Sequence, residues 1–217
     1  MSRTGLPQRP PGISDATRGA LYMTAAAFCF AMMNILVRIA TTELPPLEVA
    51  FFRNLFAVAS MTPWILRSGF PGFSARQLKL HLARAIVGVI AMGFWFTALA
   101  YVPLADAVAL NFTMPLFIVA GAGLILGETV GLRRWSATGI GFLGMLVILR
   151  PGIAEVSALM LLPVAAALFM ATSVLLLKYI SATVGAGTAV FYLNLFMTPI
   201  SLVPAVFVWV WPDWQYY

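Results

Sequence analysis

The chain has 217 residues, 62% of them hydrophobic and only 9% charged, and its mean hydropathy is +0.96. Soluble domains carry about a quarter of their residues charged, so a water-soluble fold is excluded and lipid is the solvent for most of the chain. The net charge of +6 does not indicate a nucleic-acid partner, because the Lys and Arg residues fall between apolar runs instead of forming one stripe.

Residues 1–18 are polar and rich in proline and arginine, and read as a disordered cytoplasmic tail. The apolar run that follows, 19–40, is too long for the core of a cleaved signal peptide and is the first of several. Seven such runs occur, at 19–40, 47–66, 82–101, 105–126, 135–149, 156–177 and 187–210. Each approaches the ~20 residues that carry a helix across about 30 Å of hydrocarbon. The fifth is short, and Arg133, Arg134 and Arg150 at its ends would extend it by snorkelling. The runs do not alternate polar and apolar residues, which excludes a transmembrane β-barrel. The fold class is therefore all-α, a polytopic transmembrane helical bundle.

The turns between runs are short, and Pro45 and Pro46 suit the first turn of the second helix, where a missing N–H costs nothing. No loop has room for an extramembrane domain, so function has to lie within the helices. Positive charge gives the orientation. With the amino terminus cytoplasmic, Arg3, Arg9, Arg18, Arg67, Arg76, Lys79, Arg84, Arg133, Arg134 and Lys178 lie inside, while Arg150 alone lies outside with the acids Glu43, Glu48, Asp106, Glu155 and Asp213. Cys29 and His81 each stand alone. Cys29 reads as a small buried hydrophobe, His81 lies at the cytoplasmic edge, and no metal cluster is expected.

The chain also repeats itself at an offset of 140 residues: Phe52-Arg-Asn-Leu-Phe56 lies on Tyr192-Leu-Asn-Leu-Phe196, and Leu36-Val-Arg38 lies on Leu176-Leu-Lys178. Five spans fall within that offset, and an odd number of crossings reverses direction through the bilayer. The repeat is thus inverted, as in secondary transporters. The organisation expected is a tail at 1–18, a first five-helix unit at 19–152 and a partial second unit of two helices at 153–217, whose three remaining helices would lie beyond Tyr217.

The segment from Tyr101 to Phe117, with Leu126-Gly-Glu-Thr-Val130, Arg133-Arg-Trp135, Gly139-Ile-Gly-Phe-Leu-Gly144 and Arg150-Pro-Gly152, resembles the EamA-domain proteins of the drug/metabolite transporter superfamily. Phe51-Phe-Arg-Asn54 looks like that family's second helix. The resemblance implies a ten-helix carrier of two inverted units, with a pathway lined by the first four helices of each. It implies a multi-pass location in the bacterial inner membrane and transport of small metabolites by alternating access. It does not specify the substrate.

Each polar residue in the spans has both a pathway and a packing role open to it. Arg53 lies deep in the second span, where an arginine is costly unless it meets water, a carboxylate or a helix end; a pathway cation and a snorkelling anchor near Glu48 are both open. Arg38, nearer its span end, reads as an interface anchor. Asn34, Asn54, Asn111 and Asn194 need partners in a bilayer, from a neighbouring helix or from a solute. Pro115 frees the carbonyl of Asn111 and predicts a kink. Ser173, like Thr172, can bond the preceding turn. Trp95, with Phe94 and Phe96, reads as lipid-facing, or as the wall of a pocket. Glu128 reads as a cytoplasmic partner of Arg133 and Arg134, and Asp106 as a charge at a helix start. Ala137, Gly139, Gly141 and Gly144 have small-residue spacing for close helix packing, within the subunit or at a homodimer seam.

An intramembrane enzyme would need a catalytic set that the spans lack. A filter ring and a GxxxxGK[ST] loop are also missing, which disfavours a channel and an ATPase. The expected partners are the lipid bilayer and a small-molecule metabolite, with no cofactor. The alternative is a non-transporting structural or regulatory membrane protein.

Overall fold

A computed structural model of the chain describes residues 15–69, 75–127, 131–149, 157–181 and 185–211. Among them the secondary structure is entirely helical: α1 (Asp15–Ala40), α2 (Pro46–Ser68), α3 (Ala75–Tyr101), α4 (Leu104–Asn111), α5 (Met114–Leu126), α6 (Leu132–Leu149), α7 (Leu161–Ser181) and α8 (Ala186–Phe207), with one 3₁₀ turn at Ala158–Met160. The helical bundle that the apolar runs imply is what forms. Six stretches among the described residues are long and apolar enough to cross a membrane. The fifth run is the exception: its helix α6 has 18 residues, starts with Arg133 and Arg134, and is not among the six. Eighteen residues span only about 27 Å at 1.5 Å each. The helix also begins earlier than the tail assignment allows, since Asp15 to Arg18 already belong to α1.

The chain divides into two units, Met1–Leu36 and Val37–Tyr217. The first consists, where described, of the apolar body of α1. Leu21, Tyr22, Met23 and Phe28 are exposed there, as befits a helix whose solvent is hydrocarbon. Cys29 is exposed as well, which corrects its reading as a buried residue; no polar network holds it and lipid is a good solvent for a thiol. Asn34 is buried.

In the second unit α3 is the central element, packed on α2, α7 and α8. Its middle carries Ala91, Trp95, Phe96, Ala98 and Leu99, all buried, and Phe94 stacks on Phe169 of α7 at 5.8 Å between ring centroids. Trp95 and Phe96 are thus core residues and not lipid-facing ones; small alanines on α3 and α7 (Ala166, Ala167, Ala171) let the two backbones approach and enclose the large rings.

Helices α2 and α8 run antiparallel. Glu48 meets Val210 at one end, Asn54 meets Ser201 further in, and Trp64 covers Gly187 at the other end. Ile65, Phe191 and Tyr192 form the apolar seam between them. Gly88 of α3 similarly admits Met197 of α8, whose Sδ would lie 3.1 Å from an added Cβ.

The fourth apolar run breaks where a kink was predicted. α4 stops at Asn111, Phe112 and Thr113 form a turn, and α5 restarts with Pro115 in its first turn. A proline cannot donate to the preceding turn, and the Thr113 hydroxyl donates to Leu110 O at 2.7 Å, which satisfies a carbonyl at the break. Among the described residues an added Cβ at Gly139, Gly141 or Gly144 meets nothing within 4 Å, and Ala137 is exposed, while α6 lies against α5 and α4.

Gly187 gives a direct test of the α2/α8 seam. A Cβ there would sit 2.8 Å from the Trp64 ring, so Gly187→Ala should cost about 1–3 kcal/mol of stability by overpacking. The cost shows as a lower thermal midpoint in detergent, and Trp64→Leu in the same chain should recover most of it.

Candidate functional site

The strongest concentration of polar groups lies where α2 and α8 cross. On α8, Asn194, Thr198 and Ser201 are spaced four and three residues apart, which places them on one helical face. On α2, Arg53 and Asn54 oppose that face. Asn54 is fully buried, and Asn194 and Ser201 are nearly so. The Arg53 Nη1 group donates to Asn54 Oδ1 and to Asn194 Oδ1, each at 3.1 Å. Asn54 Nδ2 donates to Ser201 Oγ at 3.2 Å. Asn194 Nδ2 donates back to Val190 O, the Ser201 hydroxyl to Thr198 O and the Thr198 hydroxyl to Asn194 O.

The arrangement answers the question that Arg53 raised. Two amide oxygens from opposite helices stabilise its charge, and no carboxylate neutralises it among the described residues. A guanidinium has five N–H donors. Only Nη1 is engaged with protein here, so the Nη2 and Nε donors of this half-buried side chain are left for a solute. Aromatic rings flank the cluster on both sides: Phe52 stacks on Phe56 at 6.3 Å, and Tyr192 on Phe196 at 6.2 Å.

A second buried cluster lies nearer the other end of α8. His81 and Arg84 of α3, one turn apart, are both buried. Arg84 Nη1 donates to Ala189 O at 3.3 Å, and the His81 ring lies 5.8 Å from that of Tyr192. The sequence puts Arg84 inside and His81 at the cytoplasmic edge; both also take part in the α3/α8 contact, more than a turn into α3, which starts at Ala75.

The remaining candidates fall elsewhere. Arg38 acts as a clamp: its Nη1 donates to Leu99 O near the end of α3 at 3.0 Å and to Val102 O just beyond it at 2.7 Å. Asn111 is half-buried at the end of α4, with Oδ1 buried and unpartnered, and exposed Pro115 follows in α5. Trp95 packs in the core, and Ser173 is half-buried on α7. Thr172 bonds back to Leu168 O. Asp106 sits in the first turn of α4. Glu128 lies outside the described residues. Sequence reasoning missed Ser201, although its spacing from Asn194 was a usable signal. It also counted Glu48 only as one of the outer acids, at the start of the second run, and did not foresee that this carboxylate is fully buried in the first turn of α2.

A cavity of about 510 Å³ opens beside that turn, lined by Thr41, Thr42, Glu43, Thr97, Tyr101 and Val210 among others. Pockets of ~300–1,000 Å³ suit small-molecule ligands.

Among the described residues, six apolar helical stretches and a buried polar seam between antiparallel α2 and α8 define a multi-pass helical membrane protein. The chain belongs to the EamA-like transporter family, whose model matches residues 17–150. It is 38% identical over 202 residues to a riboflavin transporter of Vibrio cholerae, a match covering 91% of this chain and 66% of the relative. It is 34% identical over 203 residues to a riboflavin transporter of Rhizobium johnstonii (93% and 66%). The pseudopaline exporter CntI of Pseudomonas aeruginosa is 29% identical over 193 residues (88% and 66%). The chain thus spans just under two thirds of the length of these relatives. No solved structure matches significantly.

The polar seam predicts a coupled pair. Asn54→Leu and Asn194→Leu should each lower stability by about 0.6–1.7 kcal/mol, the range of interhelical hydrogen bonds in bilayers. Because both act through Arg53, the double variant should be non-additive in a thermal-unfolding cycle.

Proposed function

We propose that the chain carries a small metabolite across the bacterial inner membrane by alternating access, as a secondary transporter with its amino terminus in the cytoplasm. The sequence repeat at an offset of 140 residues supports this reading, with one inverted unit proposed over 19–152 and a second from 153. The observation that carries it is the meeting of Asn54 with Asn194 through a single guanidinium. These two residues are counterparts at the repeat offset of 140. On antiparallel helices, counterparts meet only where a two-fold axis in the membrane plane passes between them. Sites of inverted-repeat carriers lie at that axis, near the bilayer midplane.

Riboflavin is the first substrate to test. Three relatives named riboflavin transporters match this chain, at 38%, 34% and 29% identity. The chemistry agrees: a flavin offers a planar ring for Tyr192, Phe196, Phe52 and Phe56, ring carbonyls for free guanidinium donors, and ribityl hydroxyls for amides. Rocking of the two units about the seam would expose the site to either side. The glycine face of α6 supports a homodimer seam, since small residues there meet no partner among the described residues. The runner-up, a non-transporting membrane protein, has no observation in its favour that the carrier reading lacks.

Counterflow of labelled riboflavin into proteoliposomes tests the proposal. Arg53→Ala removes a charged donor worth about 1.5–3 kcal/mol, so its apparent affinity should fall roughly 10- to 100-fold. Arg53→Lys should recover only part, because an ammonium cannot hold two amide oxygens and still present a planar fork. Unchanged counterflow in both variants at equal expression sinks the role of Arg53; no counterflow by wild type with any relative's substrate sinks the function.

A further inference from the structure

We propose that Glu48 is the proton-binding carboxylate that couples transport to a proton gradient, an inference that rests on the carrier reading of the α2/α8 seam. Glu48 is completely buried in the first turn of α2. Its Oε2 accepts the backbone N–H of Val210 at 3.1 Å. Its Oε1 is buried with no hydrogen-bond partner among the described residues.

The surroundings select the ligand. Phe51 and Phe52 follow at helical spacing on the same side of α2, and both lie against the Trp209 ring, at 6.0 and 5.5 Å. An apolar wall and a backbone N–H donor supply none of the oxygens a metal ion requires. A proton needs a single lone pair, and Oε1 has one to give. An accepting role toward Val210 alone would be met equally by a glutamine. What only a carboxylate adds is the capacity to gain and lose a proton, and intramembrane carboxylates without cationic partners serve proton relays in carriers.

The route to Glu48 is short. Its chain neighbour Leu47 and its partner Val210 both line the 510 Å³ cavity, so the carboxylate lies directly behind the cavity wall. Residues 208–211 form a strap over it, and Val210 is itself exposed. When the strap lifts, the Val210 N–H leaves Oε2 and water from the cavity reaches Oε1. A proton from that water then bonds to Oε1 and the carboxylate becomes a neutral carboxyl; release reverses the step, with no redox change. The neutral form can stay buried when the strap closes, whereas an ionised one would be held by one donor only.

The other titratable or charged groups at this end are few. Glu43 is exposed in the preceding turn, and Tyr101 is exposed at the end of α3. Arg38 is committed to the Leu99 and Val102 carbonyls. On α2 the next charge is Arg53, bound to the two asparagines. Within α8 the only ionisable side chain is Tyr192, towards its opposite end.

Infrared difference spectra of the chain in lipid, recorded between mildly acidic and neutral buffer, test the site without any need for transport. Wild type should gain a protonated-carboxyl C=O band on acidification. Glu48→Gln should lack the band and Glu48→Asp should keep it at a shifted position. Superimposable wild-type and Glu48→Gln spectra overturn the proposal. In proteoliposomes, the ratio of pH-gradient-driven accumulation of riboflavin to counterflow should collapse in Glu48→Gln to its value without a gradient. An undiminished ratio, or a wild-type requirement for sodium in place of a pH gradient, also overturns it. Absent counterflow in wild type counts against the carrier reading, and the infrared titration then decides Glu48 on its own.

Discussion

A cation that enters a hydrocarbon slab must bring its solvation with it, and Arg53 does so with two amide oxygens. Everything at the α2/α8 crossing follows from that need. The amides must come from opposite helices if one guanidinium is to bridge them. That in turn brings Asn54 and Asn194 level, and level placement sets how far the helices slide along each other. The apolar side chains then fill what remains, with Ile65, Phe191 and Tyr192 packed at one end and Phe51, Phe52 and Trp209 at the other. Apolar packing alone has little preference for one sliding position over another in lipid, since tails and side chains are equally greasy. A hydrogen-bonded seam has a strong one.

Two polar arrangements on the same pair of helices thus divide the labour. The central one is rich in donors and acceptors held at measured distances, and suits recognition. The terminal one, Glu48 under its strap, is poor in partners and suits a single exchangeable proton. Their separation along α2 is five residues, about 7–8 Å at 1.5 Å per residue. A solute at Arg53 and a proton at Glu48 would therefore be felt by the same rigid segment of helix, which is the physical requirement for coupling one to the other.

Much of this was legible in the letters. Hydropathy marked the apolar runs, and the offset of 140 paired Asn54 with Asn194, though only the structure shows that their helices cross there. What could not be read was depth and direction. Glu48 stands five residues after Glu43 and looks like the same acidic turn, yet one is exposed and the other has no surface at all. Arg84 counts towards the positive-inside pattern and is nevertheless packed on α8, as is His81. Charge patterns report which side of the membrane a segment ends on, and are silent on which neighbour a side chain faces. Trp95 and Phe96 were misread for the same reason, because lipid and core are equally apolar solvents for an aromatic ring. Gly139, Gly141 and Gly144 show the converse: the spacing is present, and the described chain gives it nothing to pack against.

The interruption at Phe112 and Thr113 has a mechanical meaning of its own. It divides one crossing into arms of eight and thirteen residues, about 12 and 20 Å long. A continuous helix of that length transmits any tilt from end to end. A rod jointed at about a third of its length lets the short arm swing while the long one stays moored, so α4 can follow the motion of one membrane face without the other face having to yield.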